Sequence, residues 1–458
     1  MEYSRFTIFL LIPLLVLCTM DVMAVTAQGL IDEYPELESL TVLVPENEMS
    51  PMHLVAYRAV KLAMRELNFE RGDKNILALT DAGFSIIADR YSTASSLEAL
   101  IILSGCSKSN ENLVVVHASK WRPLWFAFYR KGSGECIYIE VNSSVLENYM
   151  TLWETLEDKR RVQREFMALP NELLFSRVTI ENVSASKLLS EPEAWNEKMV
   201  NKVFGGNEFS IMTISACWER GMPYELLLAA ELHNHICPGL TSGILIIKYL
   251  DQHLPIEKPS QYYVILAVPP WCKDDAFQAI YDSTVGKRRM RVMMLSKEQS
   301  QQLPPVAGIY VRWDRSEDKG DAVVLTFDWD KACELCNINR RWFKDFKSYK
   351  WWYARLKMDL ELMNYLDRPE EFISIVKEFP INSSSELNKL STAGVNPYVE
   401  IGLLQKPEET TGAARIIEVV PSWVYVIIAI LVVIIIITVA VASIKVKKVK
   451  TMSVKAST

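Results

Sequence analysis

Two stretches of this chain, SSLEALIILSGCSKSNENL at 95–113 and CKDDAFQAIYDSTVGKRRM at 272–290, lie on one another without a gap. Glu98 meets Asp275, Ala99 meets Ala276, Cys106 meets Ser283 and Ser107 meets Thr284. What surrounds them comes in the same order both times. A helix-forming run (HLVAYRAVKLAMREL; PGLTSGILIIKYLDQHL) precedes a strand-forming run (NILALTD; YYVILAVP). The aligned segment follows, and after it two more strand-forming runs (LWFAFYR and ECIYIEV; AGIYVRW and AVVLTFDW). A duplicated unit builds the same local architecture twice, so the predicted fold class is α+β, with two divergent α+β units packed as an internal pseudo-dimer. A chain of 458 residues is also too long for one core of ordinary size.

Segments of other character flank the units. Residues 1–27 combine Arg5, an apolar run over 6–20 and the small residues Val25 and Ala27, which predicts a signal peptide; the run is shorter than the roughly 20 residues a membrane span needs. Residues 28–150 hold the first, degenerate unit, 151–210 a charged helical connector (LWETLEDKRRVQREFMAL), and 211–340 the second unit. The Trp-rich stretch 341–384 spaces large aromatics among charges as an amphipathic helix packed on the body does. Residues 385–420, mixing Ser, Thr, Gly, Pro and Glu, read as a stalk. The uncharged run 421–444 predicts a transmembrane helix, with Trp423 and Tyr425 at the interface and the lysines of 445–458 as a basic cytoplasmic tail. The expectation is a single-pass cell-membrane protein whose body is extracellular.

A net charge of -6 with no basic block outside that tail argues against nucleic acid as a partner. Of eight cysteines Cys18 falls in the leader, which leaves an odd number in an exported chain. At least one is then unpaired, metal-bound or joined to another molecule. Cys333 and Cys336 have CxxC spacing but no second pair, so a local disulfide or a minor structural role is open to them.

The chemistry concentrates in ELHNHICPGLTSG, 231–243, which holds two of the five histidines. On an extended strand His233 and His235 would point the same way, and Pro-Gly would then start a helix with Cys237 at the junction. A helix N-terminus favours a thiolate there. Two imidazoles and a thiolate suit zinc, with nickel or ferrous iron as alternatives. A satisfied histidine pair in a turn, beside a cysteine packed as a small hydrophobe, is the other reading of these residues.

HNHICPGLTSG resembles the HGHxCPG-type signature of the FmdE family, named for a molybdenum formylmethanofuran dehydrogenase operon of methanogens, and CKDDAFQAIYDSTVGK is similar to that family's C-x-x-D-A-x-Q run. The resemblance spans roughly 222–328 and, more weakly, about 52–141. It implies an α+β domain that dimerises and holds a transition metal, and an archaeal, methanogen source. By matching position it implies His233, His235, Cys237 and Cys272 as ligands or near-site thiols, with Asp275 and Gln278 as polar neighbours. Asn234 departs from the pattern, standing where the family has glycine. Asp282 and Ser283 replace a Gly-Cys that the first copy keeps as Gly105 and Cys106. The first copy offers only His53 near its helix, and Ser95 where the second has Cys272. Cys106 either reaches across an interface to complete the second site or is buried in a degenerate partner. A disulfide between Cys237 and Cys272 competes with shared ligation.

These features predict an exported accessory protein that binds a transition metal or a metal-containing ligand at the cell surface. Two alternatives are a metal-dependent enzyme, with an open coordination position for water or substrate, and a surface interaction protein with a relic site. No nucleophile elbow, dinucleotide glycine pattern or second carboxylate motif is present, so no catalytic residue is assigned and the small-molecule ligand is unidentified.

Overall fold

Ser50 caps the first long helix and Pro51 opens it; α1 (Pro51–Leu67) ends at Asn68, which takes the left-handed φ of 50° that stops a helix. The computed structural model describes residues 29–405. The leader, the span 421–444 and the tail 445–458 lie outside the described residues. Among those described, no helix is long and apolar enough to cross a membrane.

After α1 come β1 (Ile76–Thr80), α2 (Ala94–Ser104), β2 (Leu113–Val115), β3 (Trp125–Arg130) and β4 (Glu135–Val141). Two helices, α3 (Ser143–Thr155) and α4 (Lys159–Met167), precede β5 (Phe175–Asn182). The helices α5 (Glu208–Glu219) and α6 (Tyr224–His233) then lead into the second unit. It consists of α7 (Pro238–His253), β6 (Gln261–Ala267), α8 (Lys273–Tyr281), β7 (Met290–Val292), β8 (Val306–Asp314), β9 (Lys319–Thr326), α9 (Lys350–Leu362) and β10 (Ile375–Ile381). The sheets run β2-β1-β3-β4-β5 and β7-β6-β8-β9-β10. In each, the first pair is parallel and the rest antiparallel. One topology is therefore built twice.

The aligned segments do the same work in both copies. α2 ends at Gly105 with φ 73° and α8 at Asp282 with φ 55°, so the position asks for a residue that tolerates the left-handed region. Next to it, the Cys106 thiol lies 3.8 Å from the Ile76 carbonyl, while the Ser283 hydroxyl donates to the Tyr263 carbonyl at 3.2 Å. Both fasten the end of a helix to the first strand of its sheet.

Two boundaries and the mode of packing differ from what the sequence predicts. The connector 151–210 contains β5, the edge strand of the first sheet. Its helices pack on α1 as α9 packs on α7, so connector and Trp-rich segment hold the same insertion in two copies. The predicted stalk begins too early, because Leu387, Leu390 and Tyr398 are buried and the Tyr398 hydroxyl donates to the Val268 carbonyl at 2.5 Å. The copies also meet through unlike surfaces, not the like-on-like contact of a pseudo-dimer. β1 alternates, with Ile76 and Ala78 toward α1 and α2 and Leu77 and Leu79 toward the opposite core. That second core runs from the back of the first sheet through α5 and α6 to α7 and the inner face of the second sheet.

At the end of β1 a carboxylate sits inside this packing. Asp81 Oδ1 accepts the Trp125 N–H at 3.0 Å, Oδ2 has no hydrogen-bond partner among the described residues, and burial pushes the carboxyl up to about 8. The folded state therefore keeps a proton that the unfolded chain releases near pH 4, and stability falls as pH rises between about 4 and 8. Asp81→Asn retains the acceptor and removes the titration. It is expected to be more stable than wild type at pH 8 by on the order of a few kcal/mol, with a flatter stability profile in urea titrations across that window.

Candidate metal centre

The turn that carries the histidines joins two helices, which corrects the strand predicted from spacing. His233 is the last residue of α6, and Asn234 takes φ 63°. Asparagine is the non-glycine residue best suited to that conformation, which accounts for its standing in the family's glycine position. Cys237 is the N-cap of α7 and Pro238 its first residue. The bend is pinned from α5, where Thr213 Oγ1 accepts the Ile236 N–H at 3.1 Å and donates to the Phe209 carbonyl at 2.7 Å.

The close approach of α7 and α8 brings Cys272 to the same place. A Cβ on Gly239 would sit 3.0 Å from Cys272 Cβ, and one on Gly243 would sit 2.8 Å from the Lys273 carbonyl oxygen and 2.9 Å from Ala276 Cβ. Cys272 caps α8 as Cys237 caps α7, so two helix N-termini point at two thiols. The first copy holds the bend in place from behind. Glu231 of α6 accepts from Val115 N–H at 3.3 Å and from Lys108 Nζ at 2.7 Å, and its own carbonyl accepts the His117 N–H at 2.8 Å.

His233, His235 and Cys237 place one donor atom each within 4.8 Å of the others. His233 Nδ1–H donates to Asp275 Oδ2 at 2.6 Å, which leaves Nε2, 3.6 Å from Cys237 Sγ, as the donor. Zinc–nitrogen and zinc–sulfur bonds of ordinary length at a tetrahedral angle put the two ligand atoms roughly 3.5 Å apart, so this pair fits a shared ion. A carboxylate behind a ligating imidazole is the arrangement that orients such rings and raises their basicity. Gln278 Nε2 donates to Asp275 Oδ1 at 3.0 Å, and His235 Nδ1–H donates to Asn234 Oδ1 at 2.9 Å.

Protonation follows from these contacts. Burial, then the nearby His233 and Arg355 cations, holds His235 down to about 3, so its lone pair is free at neutral pH. Burial alone would lower His233, but hydrogen bonds to Asp275 and Cys272 outweigh it and raise the ring to about 9. Of the two thiols, Cys272 carries the charge. Hydrogen bonding from Cys237, then from His233, offsets burial and brings it down to about 5, while Cys237, bonded to Cys272 and more deeply buried, is raised. This reverses the expectation of a Cys237 thiolate: both cysteines have a helix terminus, and the less buried one accepts both hydrogen bonds.

All seven described cysteines are free thiols, including Cys237 and Cys272. Cys106 is buried in the first unit's core and pushed up to about 11 by that burial, so it does not complete the site. Cys333 and Cys336 are also buried. Sequence reasoning missed Asp359 on α9. Its Oδ1 accepts from Thr241 Oγ1 at 2.7 Å, its Oδ2 has no hydrogen-bond partner among the described residues, and it is fully buried. It also missed Phe209, whose ring centroid lies 5.0 Å from that of His235, and Arg355. An acid on the apolar stripe Trp352, Leu356, Asp359 was the signal available for the first of these. A cavity of about 1030 Å³ beside α1 in the first copy is lined by none of these residues.

The family model described as FmdE, Molybdenum formylmethanofuran dehydrogenase operon, matches residues 47–181 and 232–369, more than half of the chain. This chain belongs to the FmdE family. The first match spans the first sheet and the second spans four of the five strands of the second sheet, all but β10, so it is a tandem FmdE protein, and the second match includes His233, His235 and Cys237. No curated protein matches the chain. Only the second FmdE unit has the three-donor bend; the first contributes the groups that brace it.

If Asp275 orients His233 for an ion, Asp275→Ala is expected to weaken zinc binding about 10–100-fold in a chelator competition with the fold unchanged by circular dichroism. Unaltered affinity would show that His233 does not depend on this carboxylate.

Proposed function

We propose that this FmdE protein holds a transition metal, zinc most readily, through His233, His235 and Cys237, and uses it to capture a ligand, acting as an accessory and not as a catalyst. The run 421–444 would anchor it in the cell membrane with the body outside. The carrying observation is the 3.6 Å separation of His233 Nε2 and Cys237 Sγ, with His233 fixed from behind by Asp275. Cys272 stands outside the three-donor group as a thiolate neighbour, so three protein ligands leave a position for a ligand from outside. An accessory role is supported by the engagement of the acids nearby: Asp275 is held by His233 and Gln278, and Asp359 by Thr241 in the interior.

Cobalt substitution tests the assignment. The thiolate-to-metal charge-transfer band of the cobalt-loaded protein is expected to vanish in Cys237→Ser and persist in Cys272→Ser; loss in both variants would make Cys272 a fourth ligand. A partly exposed Cys272 thiolate beside an open metal position favours a second reading, a metal-dependent enzyme. Turnover of a bound ligand by the metal-loaded protein would establish it.

A further inference from the structure

Beside the candidate centre stands Arg355, a cation that forms no ion pair with a carboxylate among the described residues. Arg355, on α9, gives Nη1 to the Phe343 carbonyl at 3.0 Å and to the Trp351 carbonyl at 2.7 Å. Among the described residues the Nε and Nη2 edge has no hydrogen bond and the guanidinium makes no ion pair. Asp359, one turn along the helix, bonds to Thr241 instead. That free edge is the one with which a guanidinium grips a carboxylate through two parallel hydrogen bonds.

An aromatic wall connects the guanidinium to the site. The Arg355 Cζ lies 5.5 Å from the Trp351 ring centroid and 5.6 Å from those of Phe343 and Phe346. Trp351 meets Phe209 at 5.0 Å, and Phe209 meets His235 at 5.0 Å. The wall is open to solvent, since Phe346 is 67% exposed and Phe209 and Trp351 are only partly buried. A +2 ion held by the Cys237 thiolate and two neutral imidazoles would keep one positive charge, which the neighbouring Cys272 thiolate balances, so the excess positive charge beside the site is that of Arg355.

We propose that the ligand of this centre is a small carboxylate with a flat apolar body, the carboxylate on the free edge of Arg355 and the body against Trp351, Phe346 and Phe209. This rests on the metal-binding reading above, and it adds the class of molecule captured. Stacking of a flat body on the rings supplies affinity. The charge-assisted pair supplies the preference for an anion.

Benzoate is the probe, with benzamide as its neutral counterpart, titrated calorimetrically into the full-length metal-loaded protein. Benzoate is expected to bind with Kd at or below about 1 mM and benzamide at least about 10-fold more weakly. Arg355→Met is expected to weaken benzoate about 10-fold or more, and Phe346→Ala, at an exposed position, about 3-fold, both with metal content unchanged. Should Arg355→Met misfold, Arg355→Lys, which keeps the charge and loses the fork, is expected to fall between it and wild type. Equal affinity for benzoate and benzamide, or benzoate binding untouched in a metal-replete Arg355→Met, would overturn the ligand class and leave the metal reading standing. Arg355-dependent benzoate binding by a chain that takes up no metal would sink the metal reading and leave the anion site standing.

Discussion

His233→Ala is expected to cost the protein its metal. Structural zinc sites bind with apparent free energies of about 10–16 kcal/mol, so removing one of three or four donors loses roughly 3–4 kcal/mol, a weakening of 100-fold or more. His235→Ala should lose a similar amount, since that ring is already neutral and gives up only a donor. The two variants differ in one respect. His233 also bonds to Asp275 at 2.6 Å, so its loss frees a carboxylate and changes how Cys272 titrates. Without the imidazolium donor the Cys272 thiol should rise from about 5 toward its ordinary range, which alkylation rates measured against pH would follow. In His235→Ala the same rates should shift much less. Metal retained at wild-type affinity in both variants would rule out the three-donor group.

The second large effect is expected far from any donor atom. Gly243 lies on α7 where α8 crosses it, and even a Cβ there would sit within 3 Å of the Lys273 backbone and of Ala276 Cβ. None of these is the end of a flexible side chain, so Gly243→Val must push the helices apart. Overpacking of this kind costs about 1–3 kcal/mol, and a rigid backbone neighbour places it at the upper end. Because α8 carries both Cys272 and Asp275, the displacement should also weaken metal binding although no ligand has changed. A lowered urea midpoint together with weaker zinc binding is the expected pair of results. Gly286, which has open space around it, is the control, and Gly286→Ala should alter neither. A Gly243→Val protein as stable as wild type would mean that the helices are not in the contact described.

How much of this was legible in the sequence depended on what each residue type could signal. The duplication could be read from the gapless segments because helix, strand and turn follow there at fixed spacing, and the two sheets confirm it in their common strand order. The edge strands β5 and β10 escaped, since each follows a helical insertion of different length in the two copies, with no register to carry across. The spacing of His233, His235 and Cys237 singled out three residues that the structure does bring together, but assigned them the wrong backbone. YELLLAAELH has apolar residues around its whole circumference, because α6 is packed between the first sheet and the second unit, and a sequence without a polar face does not show its period. Asn234 carried the missing clue, as an asparagine between two histidines can end a helix with positive φ, and it does. The Trp-rich helix was read as packed on the body, which Trp352, Leu356 and Leu362 bear out. Its other residues, Trp351 and Arg355, stand at the site because α9 packs on α5 and α7 at once, a fact of tertiary placement that no local pattern contains.

The claim on which the account turns is that two imidazoles and a thiol at one bend grip one ion. Elemental analysis of the protein expressed in metal-replete medium and purified without chelator tests it most directly. A single zinc, nickel or iron ion per chain, absent from His233→Ala and His235→Ala and present in Cys106→Ser, is the expected result. A wild-type protein that is folded, with its thiols reduced and no transition metal bound, would contradict it.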